Sequence, residues 1–143
     1  MYPGLHTLDT LAVALGVSHV TASRWVRAGT VPAARIGKLW RLWGPAVAER
    51  LYGPDVDIAA LAAPPAPPGE PEIIGVRELA ERLDIAHGTA SRLVAAGAFP
   101  ATARTGQTYR LHWPTIRDQI ARGEDFMPLN PRPVRVQTRK TPR

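Results

Sequence analysis

Between Leu8 and Tyr52 the apolar positions change period twice. Leu8, Leu11, Ala12 and Leu15 fall at helical spacing, which predicts a helix over Leu8–Leu15 with Thr7 or Asp9 capping its start. Gly16-Val17 breaks it. Ser18 suits the N-cap of a second helix, His19–Ala28, in which Ala22, Trp25 and Val26 form one apolar stripe. Gly29 supplies a left-handed stop, and Pro32 prevents continuation. Ala34-Arg35-Ile36 and Leu39-Trp40-Arg41-Leu42 then flank Gly37-Lys38, two short runs around a two-residue turn, which predicts a β-hairpin. Pro45 stands at the first position of a third helix that ends near Tyr52.

The same order recurs. Residues Val76 to Ile120 repeat Leu8 to Leu51, with His19-Val20-Thr21-Ala22-Ser23-Arg24 against His87-Gly88-Thr89-Ala90-Ser91-Arg92. The register holds from Leu11/Leu79 through Ala33/Ala101. It slips by one residue and resumes at Gly37/Gly106, Arg41/Arg110, Leu42/Leu111 and Pro45/Pro114. A duplicated unit of about 45 residues predicts two small domains that share a role. The divisions read 1–52 and 73–122 for the two units, 53–72 for an acidic Pro/Ala-rich linker, and 123–143 for a basic Pro/Arg-rich tail. The Pro-rich half of the linker is expected to be extended and semi-rigid, with one helical turn between Asp57 and Ala63. The tail is poor in apolar residues and is expected to be disordered. Each unit is small enough to be marginally stable by itself.

Charge adds a partner to this picture. The chain carries a net charge of +6. Both units and the tail are basic, and the four carboxylates of the linker meet no Lys or Arg there. Such a distribution suits a polyanion. The chain has no cysteine, so disulfides, zinc fingers and thiol nucleophiles are excluded. His6, His19, His87 and His112 are scattered without metal-ligand spacing, and neither a phosphate-binding Gly loop nor a Ser/His/Asp arrangement is present. No metal, cofactor or enzymatic activity is expected. No apolar run has transmembrane length and no signal pattern opens the chain, so a cytoplasmic, nucleoid-associated protein without membrane contact is expected.

The ordered motifs resemble the small winged-helix domains of MerR-type regulators and phage excisionases. The resemblance rests on Gly16-Val17-Ser18, Thr21, Arg24-Trp25-Val26, Gly29, Val31-Pro32-Ala33, Gly37-Lys38 and Trp40-Arg41-Leu42 in unit one. Unit two follows the pattern less closely. The implied fold is mainly α with small β-hairpin wings, as two tandem winged helix-turn-helix domains joined by the Pro-rich linker. The resemblance also implies that the second helix of each unit enters the major groove while basic wing residues reach phosphates or the minor groove. The coiled-coil helix and effector domain of full MerR regulators have no counterpart here.

Helix geometry selects the candidate contacts independently. With Ala22, Trp25 and Val26 inward, His19, Val20, Thr21, Ser23, Arg24 and Arg27 point outward. Arg24 suits guanine O6/N7, a contact worth about 1–3 kcal/mol of discrimination. Thr21 and Ser23 suit phosphates or bases, Val20 a thymine methyl and His19 a phosphate. In unit two His87, Gly88, Thr89, Ser91, Arg92 and Ala95 take the same places, and four of the six residues are identical. Trp40 and Leu42 (Tyr109 and Leu111) are expected to point inward on the hairpins. Arg41 and Arg110 then face outward as phosphate contacts, alongside Lys38 and Gln107 at the turns. All four tryptophans are expected to pack in the cores, with base stacking on Trp43 or Trp113 as the alternative. Arg27→Ala95, Lys38→Gln107 and Trp25→Leu93 make unit two the weaker binder. Replacement of the cap Ser18 by Ala86 costs it about 1 kcal/mol, and Gly88 inside the helix costs up to about 1 kcal/mol more.

These readings define a sequence-specific binder of double-stranded DNA, acting as a transcriptional regulator or an excisionase-like recombination directionality factor. A head-to-tail tandem predicts half-sites in direct repeat. A linker that reaches about 60 Å when extended would span half-sites about 34–36 Å apart. Further partners would be a recombinase or additional copies of the chain on DNA. Arg132, Arg135, Arg139, Lys140 and Arg143 in the tail either add phosphate contacts or solubilise the chain end. The rival readings are a protein-interaction adaptor, in which unit two docks a partner or self-associates, and a DNA-packaging subunit.

Overall fold

In the computed structural model, which describes residues 1–128, each repeat folds as a short strand, two helices, a hairpin and a third helix. Unit one comprises β1 (Leu5–His6), α1 (Leu8–Leu15), α2 (His19–Arg27), β2 (Ala34–Ile36), β3 (Leu39–Trp43) and α3 (Gly44–Tyr52). Unit two repeats the order as β4 (Ile73–Ile74), α4 (Val76–Leu83), α5 (His87–Ala95), β5 (Thr102–Thr105), β6 (Thr108–His112) and α6 (Trp113–Arg122). The described residues are therefore mixed α and β, with six α-helices and two three-stranded antiparallel sheets, ordered β1-β3-β2 and β4-β6-β5. Strands β1 and β4 were not expected. Two residues carry no readable alternation, and both strands form only because β3 and β6 offer an edge.

Local chemistry places the helix ends where the sequence puts them. Thr7 accepts from the Thr10 N–H, and Thr10 returns a bond to the Thr7 N–H at 2.9 Å, which closes a capping box. Gly16 takes φ 68° and ends α1. Asp84 holds the corresponding position in α4 at φ 56°, a left-handed conformation that Asp tolerates better than most residues. Ser18 Oγ accepts from the Thr21 N–H at 3.1 Å, whereas Ala86 gives α5 no side-chain cap.

The linker does not stand clear of unit one. Ala59–Leu61 forms one 3-10 turn, within the stretch expected to turn, and Leu61 is fully buried in the unit-one core beside Leu11, Val47 and Ala48. Gly44 is what admits it, because a Cβ there would lie 2.2 Å from the Leu61 carbonyl oxygen.

The two units are also packed together. Their expected independence on a spanning tether is corrected by a second hydrophobic core that draws on both. Leu5, Ala34 and Ile36 of unit one join Leu79, Leu83, Leu93, Leu111, Trp113 and Ile116 of unit two. The Tyr2 N–H donates to the Arg82 carbonyl at 2.9 Å, and the Tyr2 ring lies 4.9 Å from Trp113. The Arg82 guanidinium stacks over both rings, at 5.3 and 5.2 Å. The start of the tail is placed as well, against the expectation of disorder from Gly123 onward. Phe126 is 1% exposed, 5.2 Å from Phe99, and forms a parallel bridge to Ile36. Gly123 allows this turn-back, since a Cβ there would sit 2.9 Å from the Ala33 nitrogen. The five basic tail residues, Arg132 to Arg143, lie outside the described residues.

Candidate nucleic-acid interface

The candidate surface begins with α2. Burial of Ala22 and Val26, with Trp25 half-buried beside them, turns the opposite side of the helix outward. Val20, Arg24 and Arg27 occupy the centre of that side and are exposed. His19 and the half-buried Ser23 flank them, and these five line one open depression. Val20 is 65% exposed. His19 Nε2 lies 3.4 Å from the Asp9 carboxylate. His19 also shares a groove with Lys38, so the hairpin turn and the start of α2 meet on one side of the molecule. Thr21 is half-buried on the other flank, where its hydroxyl accepts from Ser18 Oγ at 3.0 Å. Its first task is therefore to complete the helix cap.

The second copy is α5. Ala90, Leu93 and Val94 are buried, the last two in the shared core, leaving His87, Gly88, Arg92 and Ala95 exposed and Thr89 and Ser91 half-buried. Arg92 stands alone at the centre of this face, because Gly88 and Ala95 replace Val20 and Arg27. Among the described residues Arg24, Arg27, Lys38, Arg92 and Arg110 enter no ion pair.

The hairpins depart from the expected symmetry. Arg41 does not face solvent. It is 5% exposed and donates from Nε to the Leu83 carbonyl (2.6 Å), from Nη2 to the Asp84 carbonyl (2.7 Å) and from Nη1 to its neighbour Trp40 (2.7 Å). Leu83 and Asp84 end α4, where carbonyls lack helical partners and the helix dipole is negative, so a guanidinium satisfies both. Burial lowers the Arg41 pKa from its usual value, and the Asp84 carboxylate opposes that shift. A phosphate contact from this side chain is ruled out by its position between the units. Its counterpart Arg110 is exposed, as expected, and so is Gln107.

Cross-strand register explains the difference. Ala34 pairs with Arg41, Ile36 with Leu39 and Leu5 with Trp43, so these residues share one face of the first sheet, and all of them but the exposed Leu39 lie against unit two. The corresponding face of the second sheet carries Ile73, Ala103, Thr105, Thr108, Arg110 and His112, and it is open. The signal was present in the sequence. Leu39-Trp40-Arg41-Leu42-Trp43 is apolar on both faces, the mark of a strand covered twice, whereas Thr108-Tyr109-Arg110-Leu111-His112 is apolar on one. Trp113, the stacking alternative, is 1% exposed and unavailable to a base.

Sequence reasoning passed over one pair of cations. Arg35 lies 4.7 Å over the Trp40 ring, and the equivalent Arg104 lies 5.5 Å over Tyr109. Both are directly cross-strand from their aromatic partners, so the repeat preserves an exposed Arg over a half-buried aromatic ring on each hairpin. Their identity across the two copies was the available clue.

No family model, curated protein or solved structure matches this chain. Among the described residues no helix is long and apolar enough to cross a membrane, and no group of His, Asp or Glu could hold a metal ion.

Proposed function

We propose that this chain is a sequence-specific double-stranded DNA-binding protein built from two tandem winged helix-turn-helix units. It acts as a transcriptional regulator or as an excisionase-like directionality factor for a recombinase. The observation that carries this reading is the repeated outward face, with His19, Ser23 and Arg24 on α2 and His87, Ser91 and Arg92 on α5. Donors on the N-terminal half of a second helix meet base edges when such a helix lies in the major groove. Arg24 and Arg92 then read guanine, and Val20 offers an apolar contact to a thymine methyl. The exposed Arg104, Gln107 and Arg110 of the second hairpin, and Lys38 of the first, supply phosphate contacts that set register without reading sequence.

The packing of the units changes the mechanism. The second helices do not search for half-sites on a loose tether. The packing between the units fixes one second helix relative to the other, and the head-to-tail order of the repeats favours half-sites in direct orientation.

The deciding experiment is selection of bound duplexes from a random pool, with the native chain and Arg92→Ala at one salt concentration. Two similar motifs in direct orientation, one of them lost in Arg92→Ala, are expected. A single motif that survives the substitution unchanged makes unit two an interaction module. No enriched motif overturns the reading.

A further inference from the structure

We propose that the first hairpin is a spacing clamp, and that Arg41 is the positioning residue that fixes the distance and orientation between the two DNA-reading helices. The inference rests on the DNA-binding reading above and adds to it a rule for operator architecture.

The argument starts from the internal comparison that the duplication provides. Arg41 and Arg110 occupy the same place in the repeat, yet one is buried between the units and the other is exposed. Around Arg41 the whole outer face of the sheet has been made apolar. Leu5, Ile36, Leu39 and Trp43 stand where unit two has Ile73, Thr105, Thr108 and His112. Ile36 is fully buried while Thr105 is exposed, and Leu5 is buried while Ile73 is exposed. One copy of the hairpin has thus become a docking face and the other has not.

What the clamp grips is the break between the two helices of unit two. Arg41 holds the carbonyls of Leu83 and Asp84, immediately before the turn into α5. The hairpin turn itself reaches α5, with Leu93 Cδ1 3.8 Å from where a Gly37 Cβ would stand. Ile36 belongs to the same buried cluster as Leu93 and Val94 of α5. The other strand edge is closed by Phe126, whose N–H donates to the Arg35 carbonyl at 2.9 Å, while the Arg35 N–H donates to Asp125 Oδ1 at 2.9 Å. On the far side α6 lies against β3, with the Arg117 guanidinium 5.5 Å over Trp43. The hairpin that starts seven residues after α2 is therefore held by unit two on two sides and by the segment after α6 on a third, and α2 moves with it.

A planar guanidinium suits this task because it fixes direction as well as charge. Three of its donors are engaged at once, which an ammonium on a flexible stem does not reproduce. Two sites joined rigidly gain avidity when the spacing fits and lose it when geometry forbids simultaneous engagement. The clamped protein should therefore discriminate operators by spacer length, a property that a tethered tandem lacks.

The test measures affinity on a series of duplexes carrying the two selected half-sites in direct orientation, with the spacer changed one base pair at a time. A duplex with one half-site is the reference. The native chain is expected to favour one spacer by about 100-fold over its neighbours. Arg41→Ala and Arg41→Lys are expected to flatten that profile while leaving single-half-site affinity within about threefold, a combination that simple misfolding does not produce. A flat profile for the native chain, with tight specific binding retained, overturns the clamp and leaves DNA reading intact. An equally sharp profile for both variants removes Arg41 from the role. A physical readout separates the two layers. The cysteine-free chain accepts spin labels at Val13→Cys and Glu81→Cys, both exposed. A narrow interunit distance that broadens in Arg41→Ala supports the clamp even where no duplex is bound. A broad distribution in the otherwise native chain overturns it.

Discussion

The Phe126 N–H donates to the carbonyl of Arg35 at 2.9 Å, joining the segment after the last helix to the hairpin of the first unit. The bond delivers the Phe126 ring into the shared core against Phe99. Truncating a ring buried to this degree costs about 3–5 kcal/mol in well-packed cores. Phe126→Ala is expected to lose stability in that range, measured as a shift in the urea midpoint with both units unfolding. A loss under about 1 kcal/mol would mean that the segment is not part of the core.

Much of the fold is readable from residue pattern, and the parts that are not share a cause. Helix periods, the Ser18 cap, the Gly16 stop and the turn at Gly37-Lys38 are local, and each lies where the sequence places it. The outward face of α2 follows from the same periodicity. The role of Arg41 does not, because its partners are carbonyls of another unit and carbonyls leave no trace in a sequence. Phe126 is a lone aromatic in a stretch of Pro and Arg, and nothing near it announces a core position. The two-sided apolar character of β3 was the one signal of docking. Arg41 at its centre masks that signal, because a charged residue on a hairpin reads as solvent-facing.

The duplication supplies a reciprocal test of helix capping. Ser18→Ala removes the bond to the Thr21 N–H and is expected to cost about 1 kcal/mol. Ala86→Ser places the same acceptor ahead of α5 and is expected to stabilise by a similar amount, about 1 kcal/mol. Thermal unfolding of both variants beside the native chain decides it. A neutral Ala86→Ser would mean that the α5 N-terminus already satisfies its amides from elsewhere.

Acid sensitivity should arise at His6. The residue pairs with Leu42 on the inner face of the first sheet, and burial lowers its pKa below the usual histidine value. The unfolded chain therefore binds more protons than the folded one as pH falls through about 6.5, and stability declines there. The contribution is whole above that pH and is lost as pH drops toward the folded value. The repeat places Ile74 at the equivalent position, so His6→Ile is expected to reduce the decline between about pH 7.5 and pH 5. Chemical denaturation at several pH values measures it. An unchanged pH profile in His6→Ile would assign the titration to another group.

The last prediction separates cations that touch DNA from cations that hold the protein together. Each phosphate neutralised by a side chain contributes about 0.9 to the slope of log affinity against log salt. Arg110 and Arg104 are exposed on the free hairpin of unit two, so Arg110→Ala and Arg104→Ala are each expected to reduce that slope by about 1 and to weaken all sequences nearly equally. Arg41→Ala should leave the slope unchanged, because its charge already faces the Leu83 and Asp84 carbonyls and displaces no counterion from DNA. Arg24→Ala and Arg92→Ala should behave differently again, each removing about 1–3 kcal/mol of discrimination from the half-site that its own unit reads and leaving the other half-site unchanged. Binding isotherms across a salt series for these five variants sort them without a structure of the complex. The open hairpin would lose its assigned role if Arg110→Ala kept the native slope. A reduced slope for Arg41→Ala would mean that the units separate on DNA and expose it.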